Sequence, residues 1–134
     1  MAIKRCSDSE ALEAVWQALC DAQGSALFAF FGSEDPGTGE SWCKDCVTAD
    51  PIMRALCTRI RPDLTLYECP VGERSEWKDQ ADHPYRVHPQ WRLERIPTLV
   101  LIENGCEIGR LGEADCQDEA VVTAFVGEAA RSDG

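Results

Sequence analysis

The sequence is short of positive charge and of long apolar stretches. Its 134 residues carry 13 Lys and Arg against 24 Asp and Glu, a formal net charge of -11. A chain this acidic repels nucleic acid and anionic membrane surfaces, so we expect neither as a partner. No apolar stretch approaches the ~20 residues that a membrane-spanning helix needs. The length suits a single domain over residues 1–134 with a short tail from 131, and we expect a monomer.

The sequence also shows no secretory signal. The segment from Met1 to Asp8 lacks the apolar core that such a signal requires, so we expect a cytoplasmic protein. Eight cysteines would suggest a disulfide scaffold in a small secreted protein. Without an export signal, we expect them to be mostly reduced thiols. Cys20, Cys57 and Cys69 fall in or beside apolar patterns and are predicted to be small core residues.

Ligands for a structural metal are scarce. The two histidines, His83 and His88, lie in a polar segment that also contains prolines. No second C-x-x-C accompanies Cys43 and Cys46, and the two histidines lie much further along the chain than a zinc finger places them. We therefore expect no metal site.

The most informative segment that is present is Trp42-Cys43-Lys44-Asp45-Cys46. If Cys43 is the first residue of a helix, its sulfur lies over unpaired backbone N–H groups and the positive end of the helix dipole. Both favour the thiolate, which is the species that attacks disulfides. Cys46 follows one turn later, so the two sulfurs can form and break a disulfide during thiol–disulfide exchange. A C-x-x-C alone is a weak signal, because it is also half of many zinc sites.

The flanking sequence narrows the choice. Residues 26–31 form an apolar, aromatic run of strand length, and residues 32–41 consist mainly of turn-forming residue types. From Val47 to Ile60 the pattern predicts a helix, which Pro51 should kink. Its apolar face is predicted to contain Val47, Met53, Leu56 and Ile60. The order strand, loop, C-x-x-C and kinked helix is typical of a thioredoxin-type redox motif.

Ile96-Pro97-Thr98 precedes the apolar run from Leu99 to Ile102. It resembles the cis-proline loop of the thioredoxin superfamily. There the proline packs beside the active disulfide, and the backbone of the preceding residue offers a strand-like edge to substrate. The alternative is a proline that ends a loop at the start of an edge strand.

The remaining patterns complete an alternation of strands and helices. Ala2–Arg5 and Leu64–Cys69 are predicted strands, and Cys106–Leu111 is predicted to pair with Leu99–Ile102 across a turn at Asn104-Gly105. Ser7 and Glu10 form a capping-box pattern for a first helix with Trp16 in the core. That helix is predicted to end near Gly24, and a short helix could begin at Ser75.

Asp115 is predicted to cap a final helix that turns Ala120, Val121, Ala124 and Phe125 inward. The predicted order is β-α-β-α-β-α-β-β-α. This order indicates an α/β, thioredoxin-like fold with a central mixed sheet flanked by helices on both faces. The C-x-x-C then lies at the carboxyl end of a central strand, where open α/β sheets place their chemistry.

Several segments together resemble the thioredoxin domain-containing protein 17 family. They are 28–33, 39–43, 45–47, 49–51, 67–79 and 96–98, with the late Cys116. The resemblance implies a cytosolic disulfide reductase that acts on small disulfides such as cystine and on selected protein disulfides. It implies no bound cofactor beyond a redox-active Cys43–Cys46 disulfide. NADPH and FAD would enter only through a partner, thioredoxin reductase, which recharges that disulfide.

Lys44 departs from the family pattern, which has Pro at this position. A cation beside the sulfurs should lower the pKa of Cys43 and make the couple more oxidising. The alternative is a solvated Lys44 that contributes little. Asp45 could assist proton transfer at Cys46, because strand 26–31 lacks the buried Asp of thioredoxins. The alternative is that Asp45 is only a first-turn acid favoured by the helix dipole.

The sequence therefore predicts a reductase with Cys43 as nucleophile and Cys46 as resolving thiol. Trp42, Lys44, Ile96 and Pro97 are the predicted substrate-binding residues. Two alternatives remain open. One is a disulfide oxidase or isomerase that uses the same cysteines, and the other is a non-catalytic binding module with a thioredoxin fold.

Overall fold

A computed structural model describes residues 2–132 of the chain, and the side chains of residues 3–127. The elements are listed in chain order. They are β1 (Ala2–Arg5), α1 (Ser9–Ala22), β2 (Ala26–Phe31), α2 (Lys44–Ile60), β3 (Thr65–Pro70), α3 (Arg74–Trp77), α4 (Pro84–Val87), β4 (Thr98–Glu103), β5 (Cys106–Leu111), a 3₁₀ turn (Asp115–Gln117) and α5 (Glu119–Ser132). The predicted order of strands and long helices is confirmed. The short helix α4 is an addition, and it begins with a proline, which suits a first helical turn.

The five strands form one mixed sheet in the order β1-β3-β2-β4-β5. β1 and β2 each run parallel to β3, whereas β4 runs antiparallel to both β2 and β5. β2 therefore lies at the centre of the sheet, and the loop that leads to Trp42 leaves its carboxyl end. The predicted α/β fold with a mixed sheet is confirmed.

Two apolar cores lie on opposite faces of this sheet, because successive strand side chains point to opposite sides. Phe28 and Phe30 of β2 face a core shared with α1, α3 and α4. Leu27 and Ala29 face the other core, shared with α2 and α5. Helices therefore cover both faces, as the sequence predicts.

The first core is rich in aromatic rings. Trp91 is fully buried, and its ring centroid lies 4.9 Å from that of Phe28 and 5.2 Å from that of Trp16. The core position predicted for Trp16 is therefore correct. The loop that contains Trp91 also belongs to this core, although the sequence predicts no regular structure for it.

Two predictions about helix starts and faces are wrong. Asp8, not Ser7, caps α1, since its Oδ1 accepts a hydrogen bond from the Ala11 N–H at 2.8 Å. Asp8 is one residue closer to the helix, so its carboxylate reaches the third helical N–H. In α2, Met53 and Leu56 are buried as predicted, but Val47 is 37% exposed. The buried face of α2 instead runs through Cys46, Ala49, Met53 and Leu56, and Val47 lies about 100° around the helix from Cys46.

The prediction for the last helix is shifted by a few residues. Asp115 begins a 3₁₀ turn, and the Asp118 Oδ1 instead accepts hydrogen bonds from the N–H groups of Ala120 and Val121. Val122 and Val126 are fully buried, Val121 and Phe125 pack against them in part, and Ala120 and Ala124 are exposed. Moving the cap by three residues rotates the inward face. The predicted tail from 131 overlaps the last helical residues, and 133–134 lie outside the described residues.

Of the cysteines predicted for the core, Cys57 and Cys69 are buried and Cys20 is half-buried at the end of α1. No helix within residues 2–132 is long and apolar enough to span a bilayer. Over the same residues, no three His, Cys, Asp or Glu side chains cluster in a way that could hold a metal ion.

Candidate active site around Cys43 and Cys46

Cys43 is the N-cap residue of α2. It therefore lies one position before the first helical residue, the position that the sequence suggests for it. Its backbone is extended, with φ -87° and ψ 114°, and α2 begins at Lys44. The Cys43 Sγ takes the place of the usual capping oxygen and accepts a hydrogen bond from the Cys46 N–H at 3.3 Å. An N-cap side chain points directly at the unpaired N–H groups of the first turn, so this position favours a Cys43 thiolate.

This arrangement lowers the pKa of Cys43. The largest cause is a hydrogen bond from the Cys46 thiol, which opposes the raising effect of burial. Backbone N–H groups of Cys46 and Asp45 add to the lowering, whereas the Asp45 carboxylate raises the pKa. The Cys43 sulfur is also half-buried rather than covered, so a substrate disulfide can reach it. Low pKa and access together define an attacking thiolate.

Cys46 has the opposite character. Its side chain is fully buried, and its pKa is strongly raised, first by the hydrogen bond to Cys43 and then by burial. The Gly32 N–H partly offsets these effects, and the Asp50 carboxylate adds to them. Cys46 therefore keeps its proton while Cys43 is ionised, and it cannot attack until that proton is removed.

Trp42 is held against the end of β2. Its indole Nε1–H donates to the Gly72 carbonyl at 2.8 Å, and the ring packs on the aromatic core. A Cβ on Gly32 would lie 2.7 Å from the Trp42 ring, so only glycine allows this approach. The Ser41 hydroxyl donates to the Gly32 carbonyl at 2.6 Å and accepts from the Cys43 N–H at 3.2 Å. The loop before Cys43 is thus fixed at the carboxyl end of β2.

The Pro97 loop reaches the same place from the neighbouring strand. Thr98 pairs with Phe30 in the antiparallel β2–β4 ladder, so one step further along places Pro97 across from Phe31. Gly32, whose N–H bonds to the Cys46 sulfur, follows directly. The Ile96–Pro97 bond is cis. Ile96 is only 6% exposed, so its side chain belongs to the core and offers little surface to a substrate.

Asp50 is a functional candidate that sequence reasoning missed. It lies one turn after Cys46 on α2, is 8% exposed, and its Oδ1 has no hydrogen-bond partner within the described part of the chain. Burial raises its pKa to about 7. The spacing Cys46 to Asp50 is i to i+4, which places both on one face of a helix. That spacing is the one feature of the sequence that points to Asp50. An acidic residue next to a proline is, however, usually at the surface, so the sequence does not predict its burial.

Four charged side chains surround Asp50. Arg5 donates to both carboxylate oxygens of Glu34 at 3.0 and 2.8 Å and contacts Glu68 at 3.3 Å. Arg54 also hydrogen-bonds Glu68 and lies 3.8 Å from Glu34. The two acids raise the pKa of Asp50 and the two arginines lower it. The network ties the loop before Trp42 to β1, α2 and β3.

The structure brings only some of the predicted site residues together. Trp42, Cys43 and Cys46 lie together, and the Pro97 loop approaches them through the sheet register. Lys44 is exposed in the first turn of α2. Asp45 is half-exposed, and its carboxylate raises the pKa of Cys43. It is not among the causes that raise the pKa of Cys46.

Comparison with known proteins identifies relatives over most of the chain. The family model described as "Thioredoxin domain-containing protein 17-like, thioredoxin domain" matches residues 7–128. The thioredoxin-like protein Clot of Oryza sativa subsp. japonica is 34% identical over 114 residues, which cover 81% of each chain. Thioredoxin domain-containing protein 17 of Homo sapiens is 36% identical over 91 residues, which cover 62% of this chain and 71% of the human one.

Solved structures with the same architecture are more distant in sequence. A poplar thioredoxin h mutant superposes with a TM-score of 0.65 at 12% identity, covering 97% of this chain and 84% of the other. These values establish a shared thioredoxin fold.

Proposed function

The chain belongs to the thioredoxin domain-containing protein 17-like family, and we propose that it is a thiol–disulfide oxidoreductase that works as a disulfide reductase. Its proposed substrates are small disulfides such as cystine and selected protein disulfides. Thioredoxin reductase, which carries FAD and uses NADPH, is the proposed source of electrons. We place the reaction in the reducing cytoplasm, where thiols stay reduced.

One observation carries this proposal. The Cys43 sulfur caps α2 and accepts the Cys46 N–H at 3.3 Å, while Cys46 itself is buried. The two thiols therefore differ in the properties that separate an attacking from a resolving cysteine. A binding module with the same fold has no need for this asymmetry.

In the first step, the Cys43 thiolate attacks one sulfur of the substrate disulfide. The substrate S–S bond breaks, a mixed disulfide forms on Cys43, and the other substrate sulfur leaves as a thiolate that takes a proton from water. Trp42 and the backbone of Ile96 border this position. They would hold the substrate disulfide in line with the attacking sulfur.

In the second step, Cys46 loses its proton and attacks the Cys43 sulfur. The mixed disulfide breaks, the second substrate thiol leaves, and a Cys43–Cys46 disulfide remains. A carboxylate near Cys46 can accept the proton directly or through water. Asp50 suits this role better than Asp45, because it is buried on the Cys46 side and its pKa is raised to about 7. Two electrons from the reductase then restore the dithiol.

The loop from Gly32 to Ser41 supports a narrow substrate range. It lies beside the site and is held by the Ser41 and Asp35 hydrogen bonds. A bulky protein disulfide must pass this loop to reach Cys43, whereas a small disulfide need not. Cystine is therefore proposed as a better substrate than the disulfides of a folded protein.

The deciding experiment follows NADPH consumption with thioredoxin reductase, this protein and L-cystine, with insulin in parallel. Consumption with cystine and little with insulin supports the specialised reductase. Equal consumption with insulin would indicate a general thioredoxin. No consumption with either substrate, in protein whose Cys43 still reacts with iodoacetamide, would overturn the proposal in favour of a binding role or another electron donor.

Two variants test the order of the steps. Cys43→Ser removes the nucleophile and should abolish turnover. Cys46→Ser should leave Cys43 joined to the substrate in a stable mixed disulfide. Failure of Cys46→Ser to hold any substrate would contradict the assignment. A measured potential well above that of thioredoxins would favour the oxidase or isomerase alternative.

A further inference from the structure

Cys6 and Cys69 occupy neighbouring positions at the end of two parallel strands. Arg5 of β1 pairs with Glu68 of β3, so the next step of the register brings Cys6 beside Cys69. The Cys6 N–H donates to the Glu68 carbonyl at 2.9 Å, which is one of the two ladder bonds such a pair makes. The other would need the N–H of residue 70, and Pro70 has none. The ladder therefore ends at this pair of cysteines.

The register turns the two side chains to the same face of the sheet. Both belong to the aromatic core, at 2% and 0% exposure, and the Cys69 thiol donates to the Tyr67 carbonyl at 3.7 Å. Neighbouring strands lie about 4.8 Å apart, within the roughly 4.4–6.8 Å between Cα atoms that a disulfide spans. Because the ladder ends here, the strand ends can adjust to bring the sulfurs together.

A solvent cleft comes within one residue of the pair, although neither cysteine lines it. A cleft of about 430 Å³ is lined by Ser7 and Pro70, the residues that directly follow Cys6 and Cys69. The pKa of Cys6 is lowered, first by the neighbouring Cys69 side chain and against the effects of burial and Asp8. Burial raises the pKa of Cys69 well above its usual value. One thiol of the pair therefore favours ionisation over the other, as in Cys43 and Cys46.

We propose that Cys6 and Cys69 form a second redox couple, separate from Cys43 and Cys46, which a hydroperoxide oxidises to a buried disulfide between β1 and β3. The site lies three residues before Gly72, whose carbonyl holds the Trp42 indole. Oxidation of Cys6 and Cys69 needs neither the substrate nor the reductase of the proposed disulfide reduction.

The chemistry balances with one peroxide. The Cys6 thiolate attacks a peroxide oxygen, the O–O bond breaks, and Cys6 becomes a sulfenic acid while hydroxide leaves and takes a proton. The Cys69 sulfur then attacks the Cys6 sulfur, the S–O bond breaks and water leaves with the Cys69 proton. Two thiols lose two electrons to hydrogen peroxide, which becomes two molecules of water.

A third pair supplies an internal control. Cys57 and Cys116 lie in the other core, both buried and close enough to influence each other. Burial raises the pKa of each to about 12, so neither supplies a thiolate near neutral pH. They should stay reduced under conditions that oxidise Cys6.

The experiment is peptide mapping of the fully reduced protein after a few equivalents of hydrogen peroxide. Remaining thiols are blocked with N-ethylmaleimide in denaturant, and the protein is cut with trypsin and a glutamate-specific protease. Cleavage after Arg5, Glu10, Glu68 and Glu73 isolates each cysteine on its own five-residue peptide. We expect most of Cys6 in one linked product, residues 6–10 joined to 69–73, two hydrogens lighter than the separate peptides. Cys57 and Cys116 should be fully blocked.

Three results would overturn the proposal. The first is full blocking of Cys6 and Cys69 in protein whose Cys43 and Cys46 have oxidised. The second is equal linkage of Cys57 to Cys116, which would show unselective oxidation. The third is loss of the Cys6–Cys69 product in a Cys43→Ser, Cys46→Ser double variant, which would make it a product of exchange with the active site. Retention of the product in the double variant supports the proposal even if disulfide reduction fails.

Discussion

The Cys43–Cys46 and Cys6–Cys69 pairs use similar chemistry in two different backbone settings. In each, the pKa of one cysteine is lowered, and the first cause is the side chain of the other. Cys43 also receives backbone N–H groups of Asp45 and Cys46 from the first turn of α2. Cys6 has no such donors among the causes of its shift, and Asp8 opposes its ionisation. The sulfur of Cys43 is half-buried, whereas that of Cys6 is buried.

The difference lies in the backbone N–H groups that each setting can offer to a sulfur. A helix start offers several unpaired N–H groups at one point, whereas a strand has already used its own in the sheet. The helix therefore favours a thiolate on a cysteine that is only half-buried. The strand pair can respond only to oxidants small enough to reach a buried sulfur.

The largest expected effect separates the two pairs directly. Cys43→Ser should reduce cystine turnover to that of the assay without the protein, while Cys69→Ser should leave it unchanged within error. Turnover is measured as NADPH consumption well below the unfolding temperature, because a hydroxyl in place of the buried Cys69 thiol lowers stability. Loss of turnover in both variants, with folded protein, would show that the pairs act as one unit.

The next effect concerns the proton that Cys46 must lose. Asp50→Asn should slow resolution of the mixed disulfide by up to about 10²-fold, since a neutral amide cannot accept a proton. In the wild type this step should accelerate as pH rises through about 7, where Asp50 ionises. In Asp50→Asn that rise should be absent. Stopped-flow release of the second thiol from a chromogenic disulfide, between pH 5 and pH 9, measures the step.

Asp45→Asn is the matched control for Asp50→Asn. If Asp45 only tunes Cys43, this variant keeps the rise through pH 7 and reduces cystine as fast as the wild type between pH 6 and pH 8. A flattened profile in Asp45→Asn with a normal one in Asp50→Asn would reverse the assignment.

The same carboxyl should make stability depend on pH. The pKa of Asp50 is about 7 in the folded protein, above the ordinary 3.8, so the folded state holds the proton more tightly. Folding is therefore penalised increasingly from pH 4 to pH 7 as the unfolded chain ionises first. Asp50→Asn should be more stable than the wild type by on the order of 2–4 kcal/mol at pH 8, and nearly equal at pH 4. Urea unfolding at both pH values tests this, and a constant difference would contradict it.

A smaller effect is expected from crowding Trp42. Gly32→Ala places a methyl group 2.7 Å from the Trp42 ring and 2.9 Å from the Ser41 Oγ. Overpacking of this kind costs about 1–3 kcal/mol and should move the ring away from Cys43. We expect a higher KM for cystine and a lower melting temperature. Gly127→Ala is the control, since nothing lies within 4 Å of a Cβ there. It should neither raise the KM for cystine nor lower the melting temperature.

The smallest expected effect concerns Lys44. We predict that its exposed ammonium, next to Cys43 in sequence, stabilises the Cys43 thiolate by about 0.3–1 kcal/mol, the usual size of an exposed charge interaction. Lys44→Pro should therefore make the Cys43–Cys46 potential more negative by about 5–20 mV. Equilibration with glutathione measures the shift. An unchanged or more positive potential in the variant would show that Lys44 points into solvent without effect.

Much of the fold was predictable because its signals are local. The apolar run at 26–31, the C-x-x-C motif and the hairpin at Asn104 each depend on neighbours within a few residues. The failures are also local, and small. Asp8 and Asp118 act as caps instead of Ser7 and Asp115, because a cap is decided by which side chain reaches the first unpaired N–H groups. The pattern alone does not distinguish acceptors that lie so close in sequence.

Asp50 shows a different kind of failure. Its spacing from Cys46 was visible in the sequence, but its burial was not. The side chain is covered because α2 packs on the sheet at Glu68, with Arg5 and Glu34 closing the space. Those partners come from three other segments of the chain.

By itself, the sequence determined which residues form the central strands, where the C-x-x-C motif lies and which family the chain resembles. These properties arise from periodicity and short-range spacing, which act before the chain is compact. Only the tertiary structure decided that Cys6 meets Cys69, that Asp50 is buried beneath Cys46 and that Gly72 holds Trp42. Each of these depends on strand register or helix docking, in which residues distant in sequence come together because the two apolar faces of one sheet must both be covered.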